Sequence, residues 1–245
     1  MTRWLGYILG MVLLMGILTT SPVAAADPSY TYTFATHAAF FSNETNQPAI
    51  IDPQVFVADP AVVAATGPQN IMHSGGYRPA RVASDAPSVP LFTAQGIALH
   101  LTLGEWLGAS GTGTVVCTNG SAAAINQFSG LVPGGMYQLF RNQFTPQGPK
   151  RSPFGKPDAS DSVFTATKDG TAVITSVLSF CPDPTDGVLL SYHSDGMVHG
   201  PLGGDYGVNL HNQLLIRVAV ALPSGIAAAP VAGNGTRFVR RLGDG

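Results

Sequence analysis

Charge is scarce in this chain of 245 residues: Lys and Arg number 12, Asp and Glu 14, and together they make up 11%, against about 25% for an ordinary soluble domain. Nucleic-acid binding rests on clustered cations that neutralise phosphates, so this composition predicts no nucleic-acid partner. Cysteine is scarcer still, with Cys117 and Cys181 alone, and no Cys-x-x-Cys pair is present to seed a zinc module. No apolar run reaches the roughly 20 residues of a spanning helix; the one from Trp4 to Leu18 has about 15. A Gly-x-Ser-x-Gly nucleophile elbow is also missing, which excludes that route to a serine hydrolase.

What is present begins with an export signal. Arg3, the apolar stretch and the small residues Val23-Ala24-Ala25-Ala26 are the three parts of a cleavable leader. Cleavage after Ala26 makes Asp27 the mature N-terminus. The alternative is an uncleaved anchor, which would need a longer core and a basic stop-transfer cluster. Losing Arg3 leaves eleven cations against fourteen acids, a formal charge near −3. The expected location is secreted, periplasmic or at the cell surface. Gly (29) and Pro (19) are both abundant, as in a turn-rich β protein. In an oxidising compartment the two cysteines are expected to pair; the alternative is two separate buried thiols. The bridge would close a loop of about 64 residues, worth roughly 4 kcal/mol by chain entropy.

Tyr30, Tyr32 and Phe34 alternate with small polar residues, which predicts a half-buried strand. Residues 36–90 hold seven prolines and read as long connections crossing the surface, or as a flexible arm. Within them Asp59-Pro60 through Gly67 has the signals of a short capped helix. Thr102-Leu-Gly-Glu105 matches a capping box and predicts a helix from Leu103 to Ala109. Asn119-Gly120 between Thr114–Thr118 and Ser121–Phe128 predicts a type I′ hairpin. Lys168-Asp169-Gly170 predicts a second hairpin between 162–167 and 171–180. The strands 188–193 and 208–222 form a third pair. The units are then a leader (1–26), an N-terminal strand with a loop-rich segment (27–96), a sandwich core (97–222) and a loosely docked tail (223–245).

Gly130-Leu-Val-Pro-Gly-Gly-Met-Tyr137 resembles the tyrosine corner of fibronectin type III and other immunoglobulin-like sandwiches, where a Tyr near a strand start bonds backbone upstream. The same turn is similar to one in copper–zinc superoxide dismutase. That family's His-x-His ligands are absent from Met136-Tyr-Gln-Leu-Phe-Arg141, so the resemblance implies a fold and withholds the activity.

Three of the six histidines, His193, His199 and His211, fall close together with Asp195 and Asp205 between them. Strand alternation puts Val188, Leu190 and Tyr192 inward, and Leu189, Ser191 and His193 outward. On the last strand the even positions are apolar with the one exception of Asn212, while Asn209, His211, Gln213 and Arg217 form a polar face. Pairing core with core places His193 opposite His211, with Cβ atoms about 5 Å apart. Asp195 and His199 would then complete a site for copper or zinc. The competing reading is a turn-rich loop that gathers polar side chains to hold its own shape.

The expected fold is all-β, an antiparallel immunoglobulin-like sandwich with long loops and one or two short helices. The expected function is an exported, non-enzymatic binding or surface role with a protein or carbohydrate ligand. Its rivals are a copper or zinc protein, with oxidoreductase chemistry at His193, Asp195, His199 and His211, and a carbohydrate-binding module. Tyr77, Trp106 and Tyr206 are the available aromatics for the last of these.

Overall fold

A computed structural model describes residues 29–218. The leader and the tail after Val218 lie outside the described residues. The elements run β1 (Ser29–Thr33), β2 (Ala35–Thr36), α1 (His37–Glu44), β3 (Ile51–Ala58), β4 (Ala65–Thr66), β5 (Met72–His73), β6 (Tyr77–Arg81), β7 (Pro90–Phe92), β8 (Ala98–Thr102) and α2 (Leu103–Leu107). Then come β9 (Ser110–Thr118), β10 (Ser121–Ser129), β11 (Met136–Thr145), β12 (Gly148–Pro153), β13 (Val163–Thr165), β14 (Ala172–Leu178), β15 (Asp186–His193) and β16 (Leu210–Arg217).

The order β1-β9-β10-β14 forms one antiparallel sheet, and β12-β11-β15-β16-β2, with β13 also on β11, forms the other. Their inner faces share one core. Tyr32, Val115, Ala124 and Phe128 come from the first sheet, and Tyr137, Leu139, Val188 and Leu190 from the second. The fold is therefore an all-β sandwich, as the composition and alternation predict. Cys117 and Cys181 form the expected disulfide, with Cα atoms 5.5 Å apart.

Local signals explain several elements. Asn119 and Gly120 take φ of 50° and 79°, the left-handed values a type I′ turn requires, and β9 pairs β10 around them. Thr102 and Glu105 close the capping box in both directions, although α2 stops at Leu107, earlier than expected. Val132 N–H donates to Tyr137 Oη at 2.8 Å, so the Tyr side chain binds backbone upstream of its own strand.

Three expectations need correction. The first concerns residues 36–90, which are more than surface connections: β6-β3-β7-β8 is a third sheet, with Val55 and Phe56 completely buried. Proline hid it. Pro53 has no N–H to give, and it sits where the β3 register shifts between Asp52 and Phe56. The second concerns Asp59-Pro60, which starts no helix. The Asp59 carboxylate takes the Arg78 Nε–H at 2.9 Å, and the chain turns on a Val62 N–H to Asp59 O bond. The third concerns the Lys168–Gly170 turn. It is made, with Gly170 N–H on Thr167 O, but it does not join a hairpin. β13 pairs with β11 while β14 pairs with β10, so the turn carries the chain from one sheet to the other.

Candidate functional site

β15 and β16 pair as expected over Val188↔Ile216 and Leu190↔Leu214, but the register shifts between Leu190 and Ser191. Beyond it Ser191 faces Asn212, Tyr192 faces His211 and His193 faces Leu210, so Gln213 is an extra, bulged residue. One added residue inverts the parity of everything past it. His193 and His211 are therefore not opposed, which corrects the pairing expected from alternation. His211 lies on the sandwich-core face, with its ring centroid 6.4 Å from both Trp106 and Tyr192. His193 lies on the other face with Leu210.

The expected polar outer face is also buried. All eight residues of β15 are buried: on the outer face Leu189 packs with Phe40 of α1 and Phe144, and the 194–209 loop lies as a lid over the His193 end, where Gln138 Nε2–H donates to Pro201 O. A Cβ on Gly203 would stand 2.6 Å from the Phe140 ring and 3.3 Å from Gln138 Oε1, so only glycine allows so close an approach. Within the lid, His199 Nε2 lies 2.6 Å from Asp195 Oδ2 and 3.0 Å from Asn209 Nδ2. Asp205 N–H closes the loop on Asn209 Oδ1 at 2.8 Å. Burial pushes the Asp195 carboxyl up, but the Met197 N–H and His199 outweigh it and hold the pKa below its ordinary value.

His211 is a brace. Its Nδ1 is 2.8 Å from the Gln54 carbonyl, an acceptor only, so Nδ1 carries the proton and Nε2 accepts from the Ser194 hydroxyl at 3.0 Å. The order Ser–His–carbonyl is that of a proton-relay dyad. However, Ser194 Oγ is also 3.3 Å from Val208 O, and His211 is completely buried. Both bonds tie the lid and β16 to β3. The same layer holds Trp106 Nε1–H on Asp52 Oδ2 at 2.8 Å and Gln213 between Trp106 O and Tyr137 Oη. Burial lowers the pKa of His211.

His193 differs. Both of its ring nitrogens are buried without a hydrogen-bond partner, as is Gln138 Oε1. β11 pairs Gln138 with Ser191, so Gln138 and His193 share the face beneath the lid as diagonal neighbours. Burial lowers the His193 pKa to about 4, against the smaller pull of Asp195. Among the described residues, no group of three His, Cys, Asp or Glu side chains is placed to hold a metal ion.

Beside the lid is an open groove of about 560 Å³, lined among others by Gln69, Asn70, Ser74, Gln95, Asp205 and Tyr206. Its walls are tied by backbone: Ser74 N–H to Ala94 O at 2.9 Å, and Ala94 N–H to Gly207 O at 2.7 Å. Gln69 and Asn70 hold left-handed φ of 59° and 58°, a cost that non-glycine residues bear where surrounding structure fixes them. Gln54 Nε2–H on Gln69 Oε1 at 2.6 Å is part of that fixing. Of the three aromatics the sequence offers a sugar, Trp106 is buried in the core and Tyr77 packs on Phe92. Tyr206 lines the groove, with the Arg151 guanidinium 4.5 Å above its ring. Sequence reasoning missed the groove because its parts lie far apart along the chain. Among the described residues no helix is long and apolar enough to cross a membrane. No protein-family model matches this chain, and neither does any curated protein or solved structure.

Proposed function

We propose that this chain is an exported domain whose role is binding rather than catalysis, and that it takes a polar, uncharged, hydroxyl-rich ligand of the carbohydrate class in the groove beside the lid. The observation that carries this reading is the lining itself. Asn70, Ser74, Gln95 and Asp205 offer neutral donors and acceptors together with one carboxylate, and Tyr206 adds an aromatic surface to an apolar remainder from Ala64, Ile71, Met72 and Val208. Hydroxyl groups hydrogen-bond to amides and carboxylates, and sugar C–H faces pack on aromatic rings. Export follows from the leader.

The test is a glycan array with residues 27–245, followed by titration calorimetry on any hit. Asp205→Ala and Tyr206→Ala are each expected to weaken binding at least about tenfold, which is about 1.4 kcal/mol; the melting temperature should hold in the first and fall in the second, because the Tyr206 ring also packs against two apolar clusters. Binding that survives both substitutions would move the site elsewhere.

His193 favours a second reading. Two unsatisfied buried nitrogens are rare, and a copper or zinc ion would satisfy one of them. Asp195 and His199 would have to turn inward from their mutual contact to share it. His211 is not available, because it faces the other layer with both nitrogens bonded. Elemental analysis of wild type and His193→Ala decides it: stoichiometric metal lost in the variant supports the reading, and metal-free wild type removes it.

A further inference from the structure

Among the described residues, the outer face of the β1-β9-β10-β14 sheet carries no charge. Register aligns its exposed side chains in three rows across the four strands: Thr33–Thr112–Gln127–Val173, Thr31–Thr114–Ile125–Thr175 and Ser29–Val116–Ala123–Val177. All twelve are exposed. Ser110, Ser129, Thr118 and Ser121 extend the array at its two ends and are exposed as well. Large apolar side chains stand well out of the surface: Val116 is 50% exposed, Ile125 46%, Val173 67% and Val177 70%. The opposite sheet shows the usual arrangement, with its outer face covered by the lid and α1.

We propose that this face is the contact between two copies of this chain, packed sheet on sheet about a twofold axis. Three observations select a second copy. An isologous contact sets one patch against itself, so a patch with an excess of one charge would repel its copy; among the described residues this face has no charge. Val116, Ala123, Val177 and Ile125 adjoin across the strands and form a contiguous apolar patch, which monomers seldom leave open. The size also suffices. The strands hold five, nine, nine and seven residues, which at about 3.4 Å per residue and about 4.8 Å per strand give a footprint of roughly 500 Å² per copy. Two such footprints reach the roughly 1,000 Å² at which specific contacts begin. The β-branched Thr and Val side chains have few rotamers to lose on contact. No residue lining the groove lies in β1, β9, β10 or β14, so this inference is independent of the proposed ligand.

The experiment is sedimentation equilibrium and light scattering on residues 27–245 over a wide concentration range, with Ile125→Lys, Val177→Lys and the double variant. The expected result is a reversible wild-type dimer, at least tenfold weaker in each single variant and monomeric in the double variant, with unchanged circular dichroism. Because all the substituted side chains are exposed, folding is not at stake. A charge placed outside the face, Ala58→Lys, serves as control and leaves the dimer intact. A wild-type monomer throughout would overturn the proposal. So would a dimer that ignores both lysines, or a monomer that instead binds a flat polysaccharide through this face.

Discussion

His193 is buried with neither ring nitrogen bonded, and that has a measurable consequence in acid. Its pKa falls to about 4 in the folded chain against an ordinary 6.5. A folded-state pKa below the unfolded one means the unfolded chain takes the proton first. The stability this group leaves intact above about pH 6.5 is lost as pH falls toward 4, by up to about 3 kcal/mol. His211, lowered by burial in the same sense, adds to that loss. Urea titrations at a series of pH values should show the decline, and His193→Leu should flatten it while costing little at pH 7. Equal slopes in variant and wild type would refute the assignment. Asp52 gives a second residue-scale test. Trp106→Phe removes the Nε1–H that reaches its buried carboxylate, and should cost about 2–3 kcal/mol. The sequence showed that His193, His199 and His211 are neighbours in the chain, but not where their rings point. That depends on one residue, Gln213, whose insertion marks the sequence only by leaving polar Asn212 at a core position of the alternation.

At the scale of elements, what could be read was what local chemistry decides. Asn119-Gly120 demanded a left-handed turn, Thr102 and Glu105 capped each other, and 188–193 paired with the last strand. What could not be read was decided by partners distant in the chain. Asp59-Pro60 carries the same signals whether a helix or a turn follows, and Arg78 determined the outcome. The strands flanking Lys168–Gly170 looked like hairpin partners, yet each found a better neighbour in a different sheet. Deleting Gln213 tests the bulge. Without it, plain alternation runs from inward Leu214 through outward Asn212 to inward His211 and outward Leu210, the faces they already hold, so the variant should keep cooperative unfolding and lose only the bonds of Gln213 to Trp106 O and Tyr137 Oη; loss of cooperativity would contradict the bulge. The disulfide is tested by replacing both cysteines with alanine. The chain-entropy model expects the denaturation midpoint to fall by the equivalent of up to about 4 kcal/mol, and an unchanged midpoint would contradict it.

For the whole molecule, the sandwich was legible from turn chemistry and alternation, while the third sheet was not. Its prolines mimic a loop, and its strands pair out of chain order as β6-β3-β7-β8. The segment that builds it matters to function because the connections between its strands, with β5, form one wall of the groove and the lid forms the other. The site therefore exists only when residues near 70, 95 and 205 meet. The most direct test of the central claim is an amide chemical-shift map of residues 27–245 titrated with the best-binding oligosaccharide. The account predicts saturable shifts concentrated at Asn70, Ser74, Gln95, Asp205 and Tyr206. Shifts confined to another surface, or none with any saccharide, would contradict it.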